Sequence, residues 1–181
     1  MNIELLLQIL TLVVLLAGFL GALVQLRLLR KQIYADQEWN RRKTALNYAF
    51  TDDPDITSVL SRLDKYLNLG KRPKSKAITL EDIDELSKEE YPNIRSDIQF
   101  VLGRFENMFV AVKHGIADEA VCKEMVSARV TLYHYFFKEY IDDVRVRIGS
   151  NRIYENFEGY AIEWAEKEPL NRKRPNVEDA N

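Results

Sequence analysis

Histidine, cysteine and glycine are scarce in this chain of 181 residues, which has two, one and seven of them respectively. Two histidines and the single cysteine, Cys122, supply neither the ligand set of a typical zinc site nor an internal disulfide. No glycine-rich phosphate loop and no His-Glu-x-x-His motif occurs. The net charge of -2 gives no global attraction to nucleic acid. These absences disfavour the commonest metal-dependent, nucleotide-dependent and nucleic-acid-binding classes, and we expect no cofactor.

The chain does contain one long apolar run, which extends from residue 3 to residue 26. About 20 apolar residues at 1.5 Å rise are enough to cross a hydrocarbon core of roughly 30 Å. We therefore predict a transmembrane helix over residues 5–26. The run is longer than the core of a signal peptide, and Glu4 rather than a basic residue lies at its start, so we expect an uncleaved anchor.

Basic residues are concentrated after the run rather than before it. Arg27, Arg30 and Lys31 follow the run directly, and a second basic group occupies residues 41–43. The flank that is richer in arginine and lysine stays in the cytoplasm. We therefore predict an external N-terminus of residues 1–4 and a cytoplasmic remainder, held at the cell inner membrane. The first three basic residues could also contact anionic lipid headgroups, although fixing the topology is the simpler interpretation.

Within the run, polar and small residues recur at alternating steps of four and three. This set, called the seam below, consists of Glu4, Gln8, Thr11, Leu15, Gly18, Ala22 and Gln25. The spacing is that of a heptad repeat, and helices in lipid associate through small residues and side-chain hydrogen bonds. The seam predicts a parallel homo-oligomer. A ring of Glu4 above a path lined by the polar seam residues would instead suit a cation pore, and a passive tether is the third interpretation.

After the run, apolar residues recur at helical spacing, and no stretch alternates as a strand does. We predict an all-α protein in which the transmembrane helix continues into a juxtamembrane stalk helix over residues 27–50. A cytoplasmic helical domain is expected over residues 51–168, followed by a disordered tail over residues 169–181.

Capping residues mark the helix ends within the predicted domain. Asp55, Thr79 and Asp118 are expected to be N-caps, and Pro92 is expected in the first turn of a helix. The longest helix of the domain should run from Asp118 to about Ile148. Its predicted buried stripe is Val121, Met125, Ala128, Leu132, Phe136, Tyr140 and Val144.

Short motifs between Phe105 and Trp164, together with a juxtamembrane signal, carry a resemblance. They are Phe105-Glu106, Ala111, His114-Gly115-Ile116, Asp118-Glu119, Ile141, Arg145, Tyr154-Glu155-Asn156-Phe157 and Trp164, with Trp39 and the run from Arg41 to Leu46. With these motifs the chain resembles an uncharacterised bacterial family of single-span membrane proteins whose cytoplasmic part is a domain of unknown function. The resemblance implies an anchored helical domain found in bacteria and their mobile elements, and it supplies no catalytic residue.

Arg129 admits two interpretations. The pattern Arg129-x-x-x-x-His134 resembles the signature of helical ribonucleases of the HEPN class, in which a dimer pairs two such motifs. Five helical steps rotate by about 140°, however, so the two side chains should point in different directions. The alternative is a buried arginine among apolar neighbours, and Glu106 is then the expected partner in a buried ion pair.

We therefore expect a membrane-anchored, oligomeric helical interaction or effector protein without evident catalytic activity. Its expected partners are the membrane, further copies of itself through the transmembrane helix, and a cytosolic protein of unknown identity, with no nucleic acid. A conflict (defence) system of a bacterium or phage is one setting for such a protein. A small homo-oligomeric ion-conducting effector and a HEPN-like metal-independent ribonuclease are the alternatives.

Overall fold

The structure, a computed structural model, describes residues 3–48, 54–73 and 76–167. These residues form six α-helices and contain no strand, which confirms the all-α prediction. The helices are α1 (Ile3–Tyr48), α2 (Pro54–Leu67), α3 (Leu80–Glu89), α4 (Ile94–Lys113), α5 (Glu119–Ile148) and α6 (Glu155–Lys167). The predicted disordered tail, residues 169–181, lies outside the described residues.

The chain divides into two compact units, Met1–Asn40 and Arg41–Asn181. In the first unit every described side chain is exposed. In the second unit the last turns of α1 contribute to the core, because Ala45 is fully buried there. The compact unit thus begins at Arg41, whereas the sequence placed the start of the helical domain at residue 51.

Local signals set most helix ends. Thr79 caps α3 with a capping box, accepting a hydrogen bond from the backbone N–H of Asp82 while the Asp82 carboxylate accepts one from Thr79. Asp118 caps α5 as predicted. Asp55 was expected as the cap of α2 but lies inside its first turn. Pro92 precedes α4, which starts at Ile94, so the prediction for Pro92 was wrong by two residues.

The core of the second unit is built around α4, which packs against α2, α3 and α6, while α6 also packs against α5. Large aromatic side chains fill the space between α4 and α6. Phe105 stacks on Phe157 with ring centroids 5.6 Å apart, and Phe109 meets Trp164 edge-on at 5.0 Å. Such pairs add about 0.5–1.5 kcal/mol each beyond the area they bury, so this cluster fixes where α6 lies.

The buried face of α5 differs from the predicted stripe in its first half. The observed buried residues are Cys122, Val126, Val130, Tyr133, Phe136, Phe137, Tyr140, Ile141 and Val144. Met125 and Ala128 are exposed, so for these two the prediction was wrong, whereas Val121 and Leu132 are half-buried and pack against the core. Apolar residues surround the axis of α5 on several sides. Their spacing alone therefore does not decide which face of α5 the other helices bury.

Candidate functional site

The seam residues lie on one continuous helix and are all exposed. In a single helix, steps of four and three residues keep them on one face. The Thr11 hydroxyl donates to the carbonyl of Leu7 at 2.8 Å, which satisfies this polar group inside the helix. A Cβ added at Gly18 would meet nothing within 4 Å, so this face is open to close approach by another helix. The helix is long and apolar enough to cross a membrane, by length and composition.

The basic side chains after the apolar run are also exposed. Arg27, Arg30 and Lys31 project from α1, and the exposed aromatic residues Tyr34 and Trp39 follow on the same helix. Arginine, lysine, tyrosine and tryptophan are the residue types that anchor helices at the boundary between lipid and water. The prediction of lipid-headgroup contact for the three basic residues stays a prediction.

A groove of about 470 Å³ lies on the second unit, between α2 and α5. Its lining combines apolar, charged and hydroxyl-bearing residues: Leu60, Asp64, Leu69, Gly70, Met125, Ala128, Arg129, Leu132 and Tyr133. Residues of α5 that the sequence assigned to the core therefore form the floor of this surface feature. The groove escaped prediction because it depends on which face of α5 the helix α2 leaves uncovered.

Arg129 and Glu106 are not a buried ion pair. Arg129 is exposed and lines the groove. The Glu106 carboxylate instead accepts hydrogen bonds from Asn156 Nδ2 at 2.6 Å and from the backbone N–H of Phe157 at 2.8 Å. It also accepts a hydrogen bond from the backbone N–H of Asn156 at 3.3 Å. The prediction failed because the real partner of Glu106 is the start of α6, which is far away in sequence.

Glu106 supplies the cap that α6 lacks locally. The residue before α6 is Tyr154, which is buried and has a left-handed backbone with φ of 57°. Its side chain is not one that caps helices, unlike serine or aspartate. A carboxylate at a helix N-terminus satisfies free N–H groups and is stabilised by the helix dipole. The motifs Phe105-Glu106 and Tyr154-Glu155-Asn156-Phe157 thus form one contact between α4 and α6.

Other residues that carried the resemblance also have structural roles. Gly115 follows α4 with a left-handed φ of 67°, which glycine adopts without strain. The Arg145 side chain donates to the carbonyl of Ile153 at 2.9 Å and contacts Glu158 at 2.7 Å, tying α5 to the start of α6. Trp164 donates to Glu119 at 3.4 Å. Each of these residues therefore has a structural role that accounts for its place among the motifs of the resemblance.

His134 faces α6 rather than the groove. Its Nε2 atom lies 3.5 Å from Glu158, a carboxylate that already contacts Arg145 and Lys138. Burial lowers the pKa of His134, and the nearby Glu158 only partly offsets this effect. Arg129, in contrast, lines the groove between α2 and α5. Within one chain the two residues of the HEPN-like pattern therefore lie on different faces of α5, as the helical rotation predicted.

Cys122 is fully buried on α5, and burial raises the pKa of its thiol to about 11. A protonated and shielded thiol is a poor nucleophile. Among the residues that the structure describes, no group of three His, Cys, Asp or Glu side chains is placed to hold a metal ion.

Sequence reasoning missed one buried polar cluster. Asp97 is 7% exposed and accepts hydrogen bonds from the Tyr91 hydroxyl and, at 2.8 Å, from Arg62 Nε. Tyr66 stacks on Tyr91 with centroids 4.6 Å apart. The signal that could have found it is Asp97 itself, which interrupts an apolar stripe next to Ile98. The cluster joins α2 to α4 and needs no ligand to be satisfied.

A helical bundle preceded by a helix of membrane-spanning length and composition is the class of protein that these features define. A family model described as a domain of unknown function (DUF4760) matches residues 12–164, and the chain belongs to this family. No curated protein and no solved structure matches the chain. The family match begins inside the apolar run and ends at Trp164, so the long helix and the bundle are parts of one family unit.

Proposed function

We propose that this protein is a membrane-anchored homo-oligomer whose helical domain presents an interaction surface in the cytoplasm. What carries the proposal is the first unit, in which every described side chain is exposed although most are aliphatic up to Leu29. Exposed leucine, valine and isoleucine over this length are unfavourable in water, at about 25 cal/mol per Å² of apolar surface. Lipid and neighbouring helices are the surroundings that remove this cost.

The orientation is proposed from charge. The exposed Arg27, Arg30 and Lys31 follow the apolar run, and Glu4 is the only charged side chain before the predicted span of residues 5–26. The positive-inside rule then keeps the second unit in the cytoplasm and sends the N-terminus across the membrane.

The orientation can be tested with single cysteines and a membrane-impermeant maleimide in intact cells. Native Cys122 is fully buried and should not react, whereas Val146 is 81% exposed and makes a suitable reporter position. We expect Asn2→Cys to be labelled from outside and Val146→Cys to be labelled only after lysis. Labelling of Val146→Cys in intact cells would reverse the proposed topology. Release of the protein from membranes by an alkaline carbonate wash would contradict the anchor.

Oligomerisation is proposed from the seam. A straight helix drifts by about 20° per heptad from a strict seven-residue repeat. The three heptads from Glu4 to Gln25 would therefore need a left-handed supercoil to stay in register. Gly18 and Ala22 allow helices to approach closely at the centre of this seam, and Gln8 and Gln25 offer interhelical hydrogen bonds near its ends.

The seam can be tested with a matched pair of glycine substitutions. Gly18 lies on the seam and Gly21 does not, and an added Cβ at either position meets nothing within 4 Å of its own chain. We expect Gly18→Leu to reduce cross-linked oligomer in native membranes about tenfold, because the leucine side chain separates the helices. Gly21→Leu should cross-link as wild type does.

Two results would count against the seam. One is wild-type protein that cross-links only as a monomer, and the other is equal loss of oligomer in the two glycine variants. Ion flux that depends on Gln8 and Gln25 would instead favour the conducting assembly over an interaction protein.

A further inference from the structure

The groove between α2 and α5 has the size of a small-molecule site. Its volume of about 470 Å³ lies within the range of roughly 300–1,000 Å³ that is usual for ligand pockets. Five of its lining residues belong to α5 and recur at helical spacing from Met125 to Tyr133, a distance of about 12 Å along the axis. Helix α2 and the residues just after it form the opposite wall.

Most of the lining is apolar. Leu60 and Leu132 are half-buried, and Met125 is 39% exposed. Methionine is flexible and polarizable, so it adapts to ligands of different shape. This wall suits an aliphatic or aromatic body of modest size.

Two hydrogen-bond donors open into the same groove. Tyr133 is only 6% exposed, and its hydroxyl makes no hydrogen bond to any described residue. Tyr133 lines the groove together with Arg129 and Asp64, and its hydroxyl is not one of the buried side-chain atoms that lack a partner, so it reaches solvent. Burial raises the pKa of Tyr133 to about 12, so the phenol keeps its proton. A hydroxyl that reaches the groove can donate a hydrogen bond to a ligand oxygen in place of water.

Arg129 is the second donor. Its guanidinium forms no ion pair with the part of the chain that the structure describes, and five N–H groups remain to be satisfied by water or a ligand. Arginine binds carboxylates with two parallel hydrogen bonds. The Arg129 cation and the neutral Tyr133 hydroxyl both lie beside an apolar wall. Together they favour a ligand with a negatively charged hydrogen-bond acceptor.

Asp64 limits how much negative charge the groove accepts. One of its carboxylate oxygens accepts a hydrogen bond from the backbone N–H of Gly70 at 2.8 Å, which fixes the carboxylate on the groove wall. A fixed negative charge repels a second one more strongly as the ligand charge grows. The groove therefore favours a monoanion over a dianion.

We propose that this groove binds a small amphipathic monocarboxylate, with the carboxylate on Arg129 and the Tyr133 hydroxyl and the apolar body against Leu60, Met125 and Leu132. The proposal is independent of the anchor and the seam. Ligand binding requires one subunit only. The ligand proposal can therefore be tested if the anchor or the seam proves wrong, and the anchor and the seam can be tested if no ligand binds.

The test uses the full chain in lipid nanodiscs with ¹³C-methyl methionine and follows the methyl signals during titration. Met125 lines the groove, whereas Met108 is fully buried in the core and serves as an internal control. Octanoate should shift the Met125 signal saturably and leave Met108 unchanged. Octylammonium should not shift it, and octyl phosphate at pH 8 should bind several-fold more weakly than octanoate.

Matched variants identify the donors. Arg129→Gln should weaken octanoate binding at least tenfold, and Tyr133→Phe should weaken it several-fold. Arg152→Gln is the control, because the Arg152 side chain is 85% exposed and pairs with Glu155 away from the groove lining. It should bind octanoate as wild type does.

Several outcomes would overturn the proposal. They are an unmoved Met125 signal, equal shifts with octanoate and octylammonium, or undiminished binding by Arg129→Gln. The methyl signals of Met125 and Met108 could also shift together, in linear proportion to octanoate concentration and without saturation. That result would show that octanoate acts only as a detergent, and it would overturn the proposal as well.

Discussion

Replacing Glu106 by alanine should lower the free energy of unfolding of the helical domain by about 2–4 kcal/mol. The substitution removes three hydrogen bonds to the start of α6, and bonds to a charged group contribute about 1.5–3 kcal/mol each. The contributions overlap because all three share one carboxylate. The midpoint of thermal unfolding of the full chain in detergent, followed by circular dichroism, should fall by roughly 10 °C.

Two further variants separate this explanation from an ion pair. Glu106→Gln keeps the shape and one acceptor oxygen, so about half of the loss should return. Arg129→Gln should leave the unfolding midpoint within about 2 °C of wild type, because Arg129 is exposed. If Arg129→Gln destabilised the domain as much as Glu106→Ala does, the pairing predicted from the sequence would be correct after all.

Replacing Trp164 by alanine should destabilise the domain still more, by about 3–5 kcal/mol. The indole is 1% exposed and packs edge-on against both Phe109 and Tyr160. Alanine would leave a large cavity beside rings that cannot close it. The same thermal unfolding measurement should show a midpoint lower by roughly 15 °C.

Trp39 provides the matched control for this variant, because it is the other tryptophan of the chain and is 66% exposed. Trp39→Ala should leave the unfolding midpoint of the helical domain unchanged. Equal destabilisation by the two substitutions would mean that burial is not what makes Trp164 important.

Features set by neighbouring residues could be predicted from the sequence. The capping box of Thr79 and Asp82 is complete within four residues, and α5 ends at Ile148 because Gly149 adopts a left-handed conformation. Long helices were predictable for the same reason, since each hydrogen bond of a helix joins residues four apart. The all-helical class therefore followed directly from the spacing of apolar residues.

Features that depend on distant partners could not be predicted in this way. Glu106 and Phe157 meet across fifty-one residues, and nothing near Glu106 reveals that α6 begins against it. The groove could not be predicted for the same reason, because it depends on how α2 lies against α5. Arg129 looked buried because Met125 and Leu132 are apolar, yet helix α2 leaves that face of α5 open and covers it only at the edge.

The single thiol has a consequence for the environment in which the domain can exist. Cys122 is shielded from solvent and holds its proton, so neither oxidants nor disulfide exchange can reach it while the bundle is folded. The thiol of the folded domain therefore sets no requirement for a reducing compartment. In the proposed topology, only the arginine and lysine residues at the end of the apolar run select the compartment of the domain.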